Sequence, residues 1–143
     1  MRVVLDANVF ASALIRPQGP PGTILALLLR EQAFELVLSP VIVDEVQRVL
    51  RYPRVRKHLA LSDDELDLWL VALEIVAVPV PGDLEVDVVA ADPDDNKYLA
   101  AAVEGLADLV VTGDDHLLGM KAYEGLQIVR AREFLELLRQ PSG

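Results

Sequence analysis

Short apolar runs alternate with longer stretches in which apolar residues recur every three or four positions, and the alternation persists along the whole chain. The runs at 2–5, 34–38, 75–80, 108–112 and, more weakly, 126–129 read as strands, most of them closed by polar or turn-forming residues. The periodic stretches at 8–16, 23–32, 40–51, 63–74, 93–104 and 131–139 read as helices. Their starts carry capping chemistry. Ser39-Pro40 and Asp92-Pro93 each place a side-chain acceptor before a proline suited to the first helical position, and Ser62 with Glu65 makes a capping box. Strands separated by helices require crossover connections and a mainly parallel sheet covered on both faces. The fold class expected is α/β, a three-layer α/β/α sandwich of Rossmann-like layering around about five strands.

The 143 residues contain no repeat, low-complexity tract or long linker, so one domain over 1–143 is expected. Cysteine is absent, which excludes disulfide frameworks, thiolate zinc sites, iron–sulfur clusters and cysteine nucleophiles. Unbroken apolar runs such as 24–29 stay far below the roughly 18 residues of a membrane span. The first residues faintly imitate a secretion signal, but Asp6 and Asn8 interrupt the apolar stretch such a signal needs. A cytoplasmic chain without a membrane partner is expected.

In open α/β sheets the working crevice lies beyond the carboxyl ends of the strands, which turns the acids into a map. Asp6 ends the first strand, and Asp114 stands two residues past Thr112, at the end of the fourth. On the helix at 40–51, Ile42, Val46, Val49 and Leu50 form one face; at about 100° per residue Glu45 falls within it, whereas Asp44 projects away. The helix at 93–104 buries Leu99, Ala102, Val103 and Leu106, and Asp95 continues that stripe one turn earlier. Asp95 also occupies the third helical position after Asp92, where an acid can close a capping box. Asp108 precedes its strand, belongs to the opposite rim and is assigned no chemistry.

Asp6, Glu45, Asp95 and Asp114 are thus expected in one crevice, with no cationic side chain of comparable placement. Ionised together they repel and raise one another's pKa values, unless a cation sits between them. Carboxylate ligands without cysteine or a histidine pair select Mg²⁺ or Mn²⁺ over zinc. Such ions bind phosphate oxygens and generate a hydroxide nucleophile, which points to phosphodiester hydrolysis.

The ordered set 4–9 (VLDANV), Asp44-Glu45, 92–99 (DPDDNKYL) and 111–114 (VTGD) resembles the PIN-domain nucleases from Val3 to about Glu133. It is similar in particular to the toxin components of bacterial toxin–antitoxin pairs of the VapBC type. The resemblance implies a metal-dependent endoribonuclease, with Asp6, Glu45, Asp95 and Asp114 as the catalytic and metal-binding acids. It implies that Asn8 and Thr112 support the first and fourth acids by hydrogen bonding, with Asn96 a further supporter. It also implies an RNA substrate, cleavage leaving a 5′-phosphate and a 3′-hydroxyl, a small antitoxin partner inserted at the crevice, and a homodimer. The family pattern often carries Lys-Asp after TGD; this chain has Asp115-His116, so His116 could ligate Mn²⁺, orient a phosphate or simply pack.

The formal charge of −10 opposes binding to a polyanion in bulk. Arg48, Arg51, Arg54, Arg56 and Lys57 nonetheless fall within ten residues, beside Glu45. Cations near a helix end are favourable without any ligand; next to an acidic crevice they also suit an RNA backbone. Two other readings compete. A haloacid-dehalogenase-like phosphohydrolase would use Asp6 as nucleophile with Ser39, Lys97 and Asp114-Asp115, but Asn8 stands where its second acid is needed, and Glu45 and Asp95 are unused. A non-catalytic RNA- or antitoxin-binding module would keep the fold without cutting.

Overall fold

In the computed structural model, which describes residues 1–87 and 93–140, β1 (Arg2–Leu5) buries Val3, Val4 and Leu5 completely. A strand flanked on both edges and covered on both faces has no wet side, hence the unbroken apolar run. β2 (Glu35–Leu38) pairs with it in parallel on one edge and β4 (Leu109–Val111) on the other. β3 (Val78–Pro79) extends the sheet beyond β2, and β6 (Leu126–Val129) extends it beyond β4, both in parallel. β5 (Ala122–Tyr123) closes the far edge antiparallel to β6, giving the order β3-β2-β1-β4-β6-β5.

The sheet is therefore mainly parallel, as the alternation requires, but has six strands among the described residues. The extra one is β5, joined to β6 by the two-residue turn Glu124-Gly125, both at positive φ (46° and 87°). That is the backbone of a tight hairpin, usually signalled by Asn-Gly or Asp-Gly. The expected strand at 75–80 shrinks to two residues because the preceding helix runs on to Val76.

Helices flank the sheet: α1 (Ala7–Ile15), α2 (Pro20–Glu31), α3 (Pro40–Arg51), α4 (Pro53–Arg56), α5 (Asp63–Val76), α6 (Asn96–Glu104), α7 (Asp115–Leu118) and α8 (Ala131–Arg139). The expected caps of α3 and α5 form: Ser39 accepts from the Ile42 N–H, and Ser62 and Glu65 exchange backbone bonds. The helix expected from Pro93 begins as a 3₁₀ turn (Pro93–Asp95), after which α6 starts; the Asp92 cap lies outside the described residues. The four-residue helices α4 and α7 were not expected, since a single turn has no repeating apolar stripe. Phe10 meets Trp69 edge-on at 6.2 Å, tying α1 to α5, and Phe34 meets Phe134 at 5.0 Å, tying the start of β2 to α8.

Register positions the site. Leu5 pairs with Val111, and Val111 with Val129, so Asp6, Thr112 and Arg130 succeed one another along one rim of the sheet. Asp108 sits at the other end of β4, accepting the Arg2 N–H at 2.9 Å. Gly105, which caps α6, sets how closely that helix lies on the sheet: a Cβ there would stand 2.7 Å from a methyl of the buried Val37. Gly105→Ala is expected to cost about 1–3 kcal/mol by overpacking, read as a lower urea midpoint at unchanged slope. An unchanged midpoint would mean that Val37 yields freely.

Candidate active site

Asp6 leaves the end of β1 and caps α1, its Oδ1 accepting the Asn8 N–H at 3.0 Å. Its Oδ2 accepts the Thr112 hydroxyl at 2.7 Å, while the same Thr112 oxygen accepts the Asp114 N–H at 2.9 Å. One buried hydroxyl therefore fixes the spacing between two acids on neighbouring strands. Only 4% of Asp6 is exposed. Burial raises its pKa, against the opposing pull of the Asn8 and Thr112 bonds, and the Glu45 charge adds to the rise. No Lys or Arg pairs with Asp6 among the described residues. Thr112 spans the first and fourth acids; Asn8, in contrast, is exposed and helps Asp6 through its backbone N–H, which any residue but proline would supply.

Glu45 is half-buried on α3 and Asp44 is exposed, the orientation the helical period gives. The Tyr98 hydroxyl donates to Glu45 Oε2 at 2.6 Å and accepts the Ala7 N–H at 3.2 Å. Tyr98 is fully buried, and burial, the Asp6 charge and its bond to Glu45 all push the phenol pKa upward, so it stays a donor. The sequence reading missed this residue. A tyrosine on the apolar face of a helix needs a partner for its hydroxyl, and that was the available signal.

The expectation of a crevice without a nearby cation is corrected here. Lys97 Nζ forms an ion pair with Glu45 Oε2 and lies 5.4 Å from the Tyr98 ring centre. A helical wheel fixes where a side chain leaves the backbone, but the flexible four-carbon stem of lysine lets its charge reach a neighbouring face. The acidic set is thus unequal: Glu45 already has a counter-charge, and Asp6 has hydroxyl and backbone donors.

Asp95, buried in the 3₁₀ turn, makes no side-chain capping bond to α6. One ligand atom each from Asp95, Asp114 and His116 lie within 4.8 Å of one another. His116 Nδ1 stands 3.5 Å from Asp114 Oδ1, whose oxygen also accepts the His116 N–H at 2.7 Å. Asp6 and Glu45 lie outside this triple, and Asn96 is buried at the first position of α6. Two carboxylates and an imidazole are an acceptable divalent-metal donor set: the oxygens suit Mg²⁺ and Mn²⁺, and the nitrogen is foreign to an all-oxygen Mg²⁺ site. This cluster is consistent with a site for a divalent metal.

The five cations of the 48–57 stretch divide. Arg51 pairs with Asp67 at 2.7 Å. Arg56 pairs with Asp63 and donates to the Leu59 and Leu61 carbonyls, holding the turn before α5. Arg54 and Lys57 are exposed and have no ion pair among the described residues. Arg48 alone of the five borders the acids, lining with Glu45, Tyr52, Asp94 and Lys97 a cleft of about 350 Å³.

Residues 2–116 match the family model described as PIN domain. The chain is 36% identical over 121 residues to an uncharacterized protein of Methanocaldococcus jannaschii, MJ1680, covering 85% of this chain and 76% of that protein. Its fold superimposes on a chain from the crystal structure of VapBC2 from Rickettsia felis bound to a DNA fragment from their promoter. The TM-score is 0.57 at 14% identity, over 91% of this chain and 98% of the other, a likeness of fold. Among the described residues, no helix is long and apolar enough to cross a membrane.

Proposed function

The chain belongs to the PIN-domain family, and from that premise we propose that it is a metal-dependent endoribonuclease that hydrolyses RNA phosphodiester bonds, the toxin of a toxin–antitoxin pair. The observation that carries the reading is the grouping of Asp95, Asp114 and His116 within 4.8 Å, beside a buried Asp6. The fold likeness to a chain of VapBC2 supports the toxin–antitoxin part.

Asp95 and Asp114, with Asp6, Glu45 and His116 around them, would hold Mg²⁺ or Mn²⁺, which when bound supplies a nucleophile at neutral pH and offsets charge on the phosphate. The residues of the chain do the positioning. Thr112 keeps Asp6 and the backbone leading to Asp114 at fixed separation, and Tyr98 holds Glu45 against the start of α1. Arg48 and Lys97 line the adjoining cleft, where they can meet phosphates of the incoming strand. Arg54 and Lys57 are free to add longer-range attraction, whereas Arg51 and Arg56 serve the fold first. The phosphohydrolase alternative finds less support: Asn8, where its second acid is needed, is exposed and bonds Asp6 only through its backbone N–H, and the Ser39 hydroxyl caps α3.

The test is digestion of a panel of single-stranded and looped RNAs with Mn²⁺ or Mg²⁺, comparing the native chain with Asp6→Asn. Metal-dependent cleavage by the native chain, abolished by chelation and lost in the variant, is the expected result. Intact RNA throughout, with no metal-induced rise in melting temperature, would overturn the proposal in favour of a non-catalytic module.

A further inference from the structure

We infer that Arg130 and Arg132 line a second phosphate-binding cleft, which carries the RNA strand past the acids at the end of the sheet rim away from Arg48. The inference rests on the nuclease reading above and extends it to a place outside the 48–57 stretch. The cleft, of about 260 Å³, has a mostly apolar wall that includes Val9, Pro20 and Pro21, and its polar and charged groups come from Thr112, Arg130 and Arg132 among others. Its wall residue Thr112 is the one whose hydroxyl joins Asp6 to the Asp114 N–H, so the cleft adjoins the acids through that residue, although none of the four acids lines it. At Gly113 no atom lies within 4 Å of where a Cβ would stand, leaving the main chain open to a ligand.

Strand order gives the direction. Along the rim, β2 leads into the helix bearing Glu45, β1 leads into Asp6, β4 into Thr112 and β6 into Arg130. The cleft with Arg48 and Lys97 includes Glu45 itself, and the cleft with Arg130 and Arg132 stops at Thr112, beside Asp6, on the other side. A polyanionic strand crossing the acids would then meet Arg48, beside the Lys97–Glu45 pair, on one side and Arg130 and Arg132 on the other.

The two arginines also stand where helix stability does not want them. Arg130 is the N-cap of α8 and Arg132 lies in its first turn, the end at which the helix dipole disfavours positive charge. Their internal ties are slight: Arg130 approaches Asp115 at 3.4 Å on the surface, and Arg132 is exposed with no ion pair among the described residues. An exposed pair of that kind contributes little.

The experiment compares the native chain with Arg130→Gln/Arg132→Gln in Mn²⁺-dependent cleavage of a fluorescein-labelled 12-nucleotide single-stranded RNA at several salt concentrations. KM is expected to rise about tenfold with kcat changed less than about twofold, and the slope of log KM against log salt to flatten by about 1.4, the value for two phosphate contacts on a single strand. The melting temperature should hold or rise, which a structural role would not produce, and Arg130→Lys/Arg132→Lys should restore most of the KM. A double Gln variant with native KM and salt slope overturns this cleft and leaves the nuclease reading intact; a native chain that cuts no RNA overturns both.

Discussion

Asp6→Asn is expected to make the metal-free protein more stable while removing the proposed RNA cleavage. The carboxylate is 4% exposed, and burial raises its pKa above the ordinary 3.8, so at neutral pH the fold carries the cost of an ionised group out of water. Asparagine keeps the shape and the bond from the Asn8 N–H but has no charge. Part of the gain is lost because the Thr112 hydroxyl gives up its acceptor. In a domain of this size each kcal/mol recovered lifts the melting temperature by roughly 3–5 °C. The sign with pH follows. Ionised Asp6 destabilises the native chain above its raised pKa, and acid relieves that cost as the pH falls through the raised value towards 3.8, so the advantage of the variant is largest at neutral pH and closes below it. Cleavage should fall more than about a hundredfold, since even groups that merely orient a metal ligand contribute about 10–100-fold. Melting curves of the metal-free proteins from pH 4 to pH 8 check the first part. A variant that melts lower than the native chain at pH 7 would show that Asp6 contributes hydrogen bonding more than it costs in charge.

Thr112→Val should damage both stability and function. The side chain is buried and nearly isosteric, but its hydroxyl makes two bonds at once, to Asp6 and from the Asp114 N–H. Valine leaves a buried carboxylate oxygen and the Asp114 N–H without that partner, a loss of about 1–3 kcal/mol or more because one partner is charged. The spacing of the first and fourth acids also loosens, for which a 10–100-fold fall in metal-dependent cleavage is expected. Thr112→Ser, which keeps the hydroxyl, should recover most of the activity. A valine variant with native urea midpoint and native cleavage would remove Thr112 from the site.

The framework could be read from the chain because its signals are periodic. Val3 to Leu5 are apolar without interruption as a central parallel strand must be, and Asp6 breaks the run where the strand ends. Glu45 could be turned inward and Asp44 outward because four apolar neighbours fix the face of α3. Signals that need reach, or only one turn, were lost. Lys97 pairs with Glu45 through a flexible stem, Tyr98 declares itself only through the partners of its hydroxyl, and α4, α7 and β5 are too short to show a repeat. His116 stood in the sequence as an ambiguous departure; the one-turn helix α7, capped by Asp114, is what carries it alongside Asp95.

Both margins of the sheet are strands of two residues, β3 on one side and β5 on the other, and β3 contains Pro79, which has no N–H to offer. Neither margin is long enough to act as a template onto which a foreign chain could zip, a protection against fibrous aggregation. The exposed apolar surface lies instead on a helix: α5 presents Leu68, Val71 and Ile75 to water along a single stripe.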